Sequence, residues 1–245
     1  MSGHSKWNNI KRKKEKTDAQ KAKVFTKIGR EITVVVREGG SDPANNAKLR
    51  DLIAKAKSLN VPNDNITRTI KRAEGGEKDN YESILYEGYG PSGIAVMVET
   101  LTDNRNRTAA NMRHYFDKYG GNLGQSGSVA YLFSEKGLLL LESDAFDEEQ
   151  LMEDVFEAGA EDFDLDDGVC EVVTEPGKVH EVSEALTAKG HEISSAEVAY
   201  VPSTRVALSS EEDLKNFGLL VEHLEEDDDV QDVWHNLENE EDLAI

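Results

Sequence analysis

At Gly75-Gly76 both the spacing of the apolar residues and the sign of the charge change. Before that pair, apolar residues recur every three or four positions. After it, short apolar runs alternate with helical stretches and glycine turns. A chain so divided reads as a helical domain followed by α/β domains. Residues 1–75 carry 18 Lys and Arg against 8 Asp and Glu. The rest carries 10 against 41, so a pI near 4.7 averages two opposite halves. Positive charge held at one end points to a polyanion. The competing account is that the basic helices pack on the acidic remainder and neutralise it.

The basic half begins with an arm. Lys6, Lys11, Arg12, Lys13, Lys14 and Lys16 are opposed only by Glu15, with Trp7 and Ile10 its few apolar residues. Such a segment buries too little surface to order itself and is expected to be flexible when free. Trp7 suits stacking on a base, or equally a staple onto the first helix. Thr17 and Gln20 form a capping box for a helix from Asp18 to about Glu38. Its apolar stripe is Ala22, Phe25, Ile28, Ile32, Val35 and Val36, and Lys21, Lys23, Lys27, Arg30 and Arg37 lie largely elsewhere. Asp42-Pro43 is expected to open a second helix, and Asn63 or Asp64 to cap a third that ends with Lys71 and Arg72. The predicted architecture of this half is a three-helix bundle.

In the acidic half, Ile84–Tyr86 and Ile94–Leu101 read as a hairpin about a turn from Gly88 to Gly93. Asp103 or Asn104 caps a helix to about Tyr119, with Met112, Tyr115, Phe116 and Tyr119 inward. A glycine loop, Gly124 to Gly127, leads to a strand at Val129–Phe133. From Lys136 the order is strand (137–142), helix (147–158), hairpin (162–165 and 168–174), helix (176–189), strand (192–200). That β-α-β-β-α-β order is ferredoxin-like. A strand near 204–208, a helix over 211–225 and a strand near 230–234 close the chain. The fold class is therefore α+β. The expected domains are 1–76, basic and helical; 77–134 with 203–245; and 135–202, acidic and ferredoxin-like.

No residues assemble into a catalytic constellation, and a non-enzymatic protein without cofactor is expected. The six histidines form no H-E-x-x-H and lie near no cysteine pair, so zinc is not indicated. The loop Gly120–Ser128 resembles a phosphate cradle but lacks the lysine of a P-loop and opens a strand. The carboxylates read as a solvated face rather than a glycosidase pair. A lone Cys170 excludes a disulfide framework and fits a reducing cytosol. The basic start is followed by no apolar run, which argues against a signal peptide or a membrane span. Arg105 and Arg107 stand in the first turn of a helix, where cations oppose the dipole at roughly 0.3–1 kcal/mol each. With Arg113 and Lys118 they form a candidate second anion contact, or else they pair with nearby acids.

Several segments together resemble the YebC/PmpR family. These are Gly3-His4-Ser5-Lys6-Trp7 with Ile10 and Lys14, Gly39-Gly40 with Asp42-Pro43, Asn46 with Leu49-Arg50, and Pro62 with Asp64-Asn65-Ile66. Tyr86-Glu87-Gly88-Tyr89-Gly90-Pro91, Leu101-Thr102-Asp103-Asn104 with Asn106-Arg107-Thr108, and Gly120-Gly121 before Gly127-Ser128-Val129 continue the series. The motifs run in family order over about the first 137 residues; Gln20 and Val61 depart where Arg and Met are expected. The resemblance implies a helical bundle with two α/β domains in a cytoplasmic bacterial protein described as a DNA-binding transcriptional regulator. Some relatives are instead translation factors, including a mitochondrial activator of cytochrome oxidase synthesis, and others are linked to ribosomes stalled on proline-rich sequence. The polyanion is thus DNA or ribosomal RNA. The residues expected to meet it are Lys6, Trp7, Lys11, Arg12, Lys13, Lys14, Lys21, Lys23, Lys27, Arg30, Lys71 and Arg72.

Overall fold

The computed structural model describes residues 18–75, 80–142, 147–166 and 168–243. Helix α1, Asp18–Gly39, packs against α2, Ala47–Ser58, and α3, Asn63–Glu74. Their shared core is Ile28, Ile32 and Val36 from α1, Leu49, Leu52 and Ala56 from α2, and Ile66 and Ala73 from α3. Burying each large aliphatic side chain contributes roughly 1.5–3 kcal/mol, which short helices need because they are marginal alone. The Thr17–Gln20 capping box and Gly76 fall outside the described side chains.

The second helix does not start at Asp42-Pro43. Asp42 instead closes a turn: its carboxylate accepts from the Ala44 N–H at 3.0 Å and its carbonyl accepts from the Asn45 and Asn46 N–H groups. Asn46 is the cap. Its Oδ1 accepts from the Leu49 N–H at 3.1 Å, while its Nδ2 donates to the carbonyls of Val35 (3.0 Å) and Gly40 (2.8 Å). One amide thus satisfies an orphan donor at the start of α2 and acceptors at the end of α1. Asp42 cannot do this, having no side-chain donor. Gly39 makes the room, since a Cβ there would meet Asn46 Nδ2 at 2.7 Å. Helix α3 follows Pro62 with no side-chain cap, so neither Asn63 nor Asp64 caps it.

The remaining helices are α4 Arg105–Lys118, α5 Glu148–Glu157, α6 Val179–Ala188 and α7 Glu211–Glu226. The strands are β1 Glu82–Tyr89, β2 Ala95–Thr102, β3 Asn122–Leu123, β4 Phe133–Glu142, β5 Asp162–Asp166, β6 Val169–Thr174, β7 Ile193–Pro202 and β8 Val230–His235. They form two four-stranded sheets. The chain separates into two compact units, Glu135–Val201 and the remainder of the described residues.

In the larger unit the strand order is β3-β1-β2-β8. β1 and β2 pair from Glu82↔Thr102 to Tyr89↔Ala95, so the strand runs through Gly88-Tyr89, and the turn contracts to Pro91–Gly93. Gly88 is required within β1, because a Cβ would lie 2.7 Å from both the Asn122 carbonyl and the Phe116 ring. β8 returns to the edge of β2, with Val96 opposite His235 and Val98 opposite Val233. Helices α4 and α7 supply Met112, Phe116, Phe217, Leu220 and Leu224 to the core over this sheet.

Two expected strands are absent as such. Residues 130–132 form a 3₁₀ turn before β4, and the 204–208 segment makes only a parallel bridge, Val206 to Leu237. The cause of the first is Glu87, whose carboxylate accepts from the N–H groups of Gly127 (2.6 Å), Val129 (2.8 Å) and Ala130 (2.8 Å). Burial would raise the Glu87 carboxyl, but these three hydrogen bonds outweigh it and hold it below the usual range. The loop that resembled a phosphate cradle therefore binds an anion of its own chain.

The unit Glu135–Val201 has the order β5-β6-β4-β7 with α5 and α6 as crossovers, the expected ferredoxin-like arrangement. Leu139, Leu141, Leu151, Val155, Val172, Val182 and Leu186 fill its core. Cys170 is buried among them, and burial pushes its thiol up to about 12, which makes it inert. The α+β class is as expected from the sequence.

Replacing Asn46 with Ala removes a cap and takes a donor from the part-buried carbonyl contacts of Val35 and Gly40. The expected loss is about 2 kcal/mol, seen as a lower urea midpoint with unchanged slope; an unchanged midpoint contradicts the role given to this amide.

Candidate nucleic-acid interface

The cations of α1 follow from its helical spacing. Lys23, Lys27 and Arg30 sit at i, i+4 and i+7, on one face. That face meets the C-terminal end of α7. Lys23 Nζ donates to the Glu226 carbonyl at 3.0 Å and Lys27 Nζ to the Glu225 carbonyl at 2.7 Å. Arg30 Nη1 donates to the Asp228 carbonyl at 2.6 Å. The last carbonyls of a helix lack intrahelical partners and carry its negative dipole end, so Lys23 and Lys27 stabilise α7 there, while Arg30 binds the chain just beyond it. Packing on the acidic part, the competing account of the basic charge, thus describes this face of α1.

Arg30 also reaches a buried carboxylate. Its Nη1 lies 2.8 Å from Asp229 Oδ1, and Asp229 is 3% exposed. Arg107 Nη2 lies 2.9 and 2.7 Å from the two oxygens of the same carboxylate. The hydroxyls of Thr108 (2.7 Å) and Thr102 (3.2 Å) donate to Oδ2. Burial alone would raise this carboxyl, but hydrogen bonds from Arg107, Thr108 and Arg30 outweigh burial and hold it below its ordinary value. Beside it, Asp227 accepts from Asn111 Nδ2 at 3.0 Å and from the Tyr115 hydroxyl at 3.1 Å, and burial with that neighbour pushes Tyr115 up to about 12.

Arg107 is therefore an internal ion-pair partner, which is why a cation stands at the start of α4 against the dipole. Asn104 relieves the same turn by accepting from the Arg107 N–H at 3.1 Å. Arg105 is exposed and 3.4 Å from Glu82. Arg113 and Lys118 are exposed on the same helix, with Lys118 Nζ 4.8 Å from the Tyr119 ring centre.

A different group of cations faces outward on α3. Lys71 and Arg72, expected from the sequence, are exposed in its last turns, and so is Arg68, which sequence reasoning missed. The three stand at i, i+3 and i+4, close enough on a helix to act on one anion. The signal for Arg68 was its place opposite Ile66 and Ile70, on the polar side of the stripe. Lys48, Arg50 and Lys57 are likewise exposed on α2. Lys6, Trp7, Lys11, Arg12, Lys13 and Lys14, and the side chain of Lys21, lie outside the described residues. No described helix is long and apolar enough to cross a membrane.

The molecule is thus a basic three-helix bundle joined to two four-stranded antiparallel α/β sheets. Residues 5–76 match the TACO1/YebC protein N-terminal domain, and residues 81–237 match the TACO1/YebC second and third domain. The chain belongs to the TACO1/YebC family. Relatives from Finegoldia magna (52% identical, spanning 98% of this chain and 100% of the relative) and Ruminiclostridium cellulolyticum (55%, spanning 98% of each) both bear the name "probable transcriptional regulatory protein". A crystal structure of a conserved hypothetical protein from Aquifex aeolicus superposes with a TM-score of 0.83 at 44% identity, covering 91% of this chain and 92% of that one.

Replacing Asp229 with Asn should cost about 3 kcal/mol at neutral pH, since it breaks a buried ion pair. The wild-type contribution is complete above an unfolded-state value of about 3.9 and is lost as pH falls through the lower folded value. The gap between the variant and the wild type, followed by thermal unfolding, should therefore close below about pH 4. A gap that is constant with pH contradicts the assignment.

Proposed function

We propose that this protein is a non-enzymatic regulator of gene expression that binds nucleic acid through residues 1–76, acting in the cytoplasm as a DNA-binding transcriptional regulator. The observation that carries the reading is the outward cationic face of α3, Arg68, Lys71 and Arg72, in a chain of net charge −21. The names borne by its relatives support it. Lys6, Lys11, Arg12, Lys13, Lys14 and Lys21, with Trp7, add to the positive charge of residues 1–76 in the sequence. Backbone phosphates are its natural target, because the bundle sets no row of Asn, Gln and Arg for base edges. Lys23, Lys27 and Arg30 support binding indirectly, by seating α1. Arg105, Arg113 and Lys118 form a secondary contact at most, and Arg107 holds Asp229.

A translation factor on ribosomal RNA is the second reading. On α5 Met152 and Phe156 are 46% and 48% exposed, with Glu149, Glu153 and Glu157 exposed beside them. An acidic surface with apolar anchors suits a basic protein, of which ribosomes have many. In-cell crosslinking with sequencing of both DNA and RNA separates the two.

Changing Lys11, Arg12, Lys13 and Lys14 together to Ala, or Arg68, Lys71 and Arg72 together to Ala, should weaken binding to unrelated sequences alike. Each phosphate that is no longer neutralised flattens the salt dependence by about 0.9 on duplex DNA. Titrations at several salt concentrations read this directly; affinity and slope that stay the same in both variants refute the interface.

A further inference from the structure

Between α1 and α3 lies a cleft of about 390 Å³. Its floor is aliphatic, built by Ile28, Ile32, Val61 and Ile66. Its rim is cationic and polar: Arg68 and Arg72 from α3, with Thr69 and Asn65. Tyr81 forms one wall, with the Arg30 guanidinium 5.5 Å from its ring centre. A volume of this size suits a small organic group rather than a bare ion.

The lining selects the chemistry of the occupant. A phosphate alone has no use for an aliphatic floor, and an apolar group alone has no use for two arginines at the rim. A nucleotide has both parts: a flat base with two apolar faces, and a phosphate. A base within a duplex is stacked on both sides and cannot enter. An unstacked base can, with its face against Tyr81 and the aliphatic floor and its phosphate at Arg68 and Arg72.

Gly29 lines the cleft from the interior of a 22-residue helix, where glycine is a poor helix former. The packing of the helices does not demand it: a Cβ at Gly29 would meet only Thr69 Cγ2, at an ordinary 3.9 Å. What glycine preserves there is room.

We propose that the cleft between α1 and α3 receives one unstacked base of a single-stranded nucleic acid, with the adjoining phosphate on Arg68 and Arg72. This rests on the nucleic-acid reading above and deepens it, because it adds to phosphate binding, which any strand can satisfy, a pocket that only an unstacked base can enter. RNA and single-stranded DNA present the same chemistry to the lining.

The test fills the cleft without changing any charge. Gly29→Leu fills it from α1 and Thr69→Leu narrows it from α3. Full-length wild type and both variants are titrated at one salt concentration by fluorescence anisotropy. The probes are labelled single strands of about 12 nucleotides, one RNA and one DNA, and the DNA duplex of the same sequence. Each variant should lose roughly tenfold or more in affinity for a single strand, the size of one stacked base, and keep its duplex affinity. The single strand that loses more identifies the physiological source as RNA or DNA. Variants that melt like the wild type and bind every probe as it does overturn the proposal, as does an equal loss on single strands and duplex. A wild type that binds none of the probes overturns the nucleic-acid reading itself, and this proposal with it.

Discussion

A single buried carboxylate ties the larger unit together. Asp229 is almost wholly buried and is held ionised by guanidinium groups from α1 and α4 and by the hydroxyls of Thr102 and Thr108. Its backbone takes part too, since the Leu101 N–H donates to its carbonyl at 2.7 Å. The bundle, the sheet and the helix over the sheet therefore meet at one residue. A buried ion with several partners is costly to break even where its net contribution to stability is small. The bundle is thereby seated on the sheet through Arg30.

This seat sorts the cations of the bundle. Those on one face of α1 neutralise the carbonyl end of α7 and the carboxylate beside it. Those on α3 are exposed, and two of them, Arg68 and Arg72, border a cleft. A count of Lys and Arg treats the two sets alike, whereas the fold uses the first in internal contacts and leaves the second exposed. The same logic explains the glycine loop before β4: its N–H groups suit an anion, and Glu87 is that anion. Features that look like ligand sites in a sequence can be complete within the chain.

What was legible in the sequence was local. The stripe of Ile28, Ile32 and Val36, the inward Met112 and Phe116, and the alternation from Gly137 to Tyr200 all follow from the period of the element that contains them. What was not legible depended on distant residues. Asp42 and Asn46 are equally good caps by preference, and the carbonyls of Val35 and Gly40 decided between them. Arg30 and Arg107 find Asp229 at separations of 199 and 122 residues, which no spacing rule anticipates. The Val129–Phe133 strand failed because Glu87, 40 or more residues earlier, takes the amides that would begin it. In the candidate site, Lys71 and Arg72 were legible from their place in a last turn, whereas the cleft required two helices to be brought together.

The proposed function places partner binding on the outward face of the bundle and not on the internal cations or the acidic unit. Amide hydrogen exchange of the full-length protein, with and without a saturating nucleic-acid ligand, tests this most directly. New protection is expected in the peptides covering α3 and the N-terminal arm, with exchange in 135–201 and in α4 unchanged. Protection confined to α4 or to 135–201, with α3 exchanging as before, would contradict it.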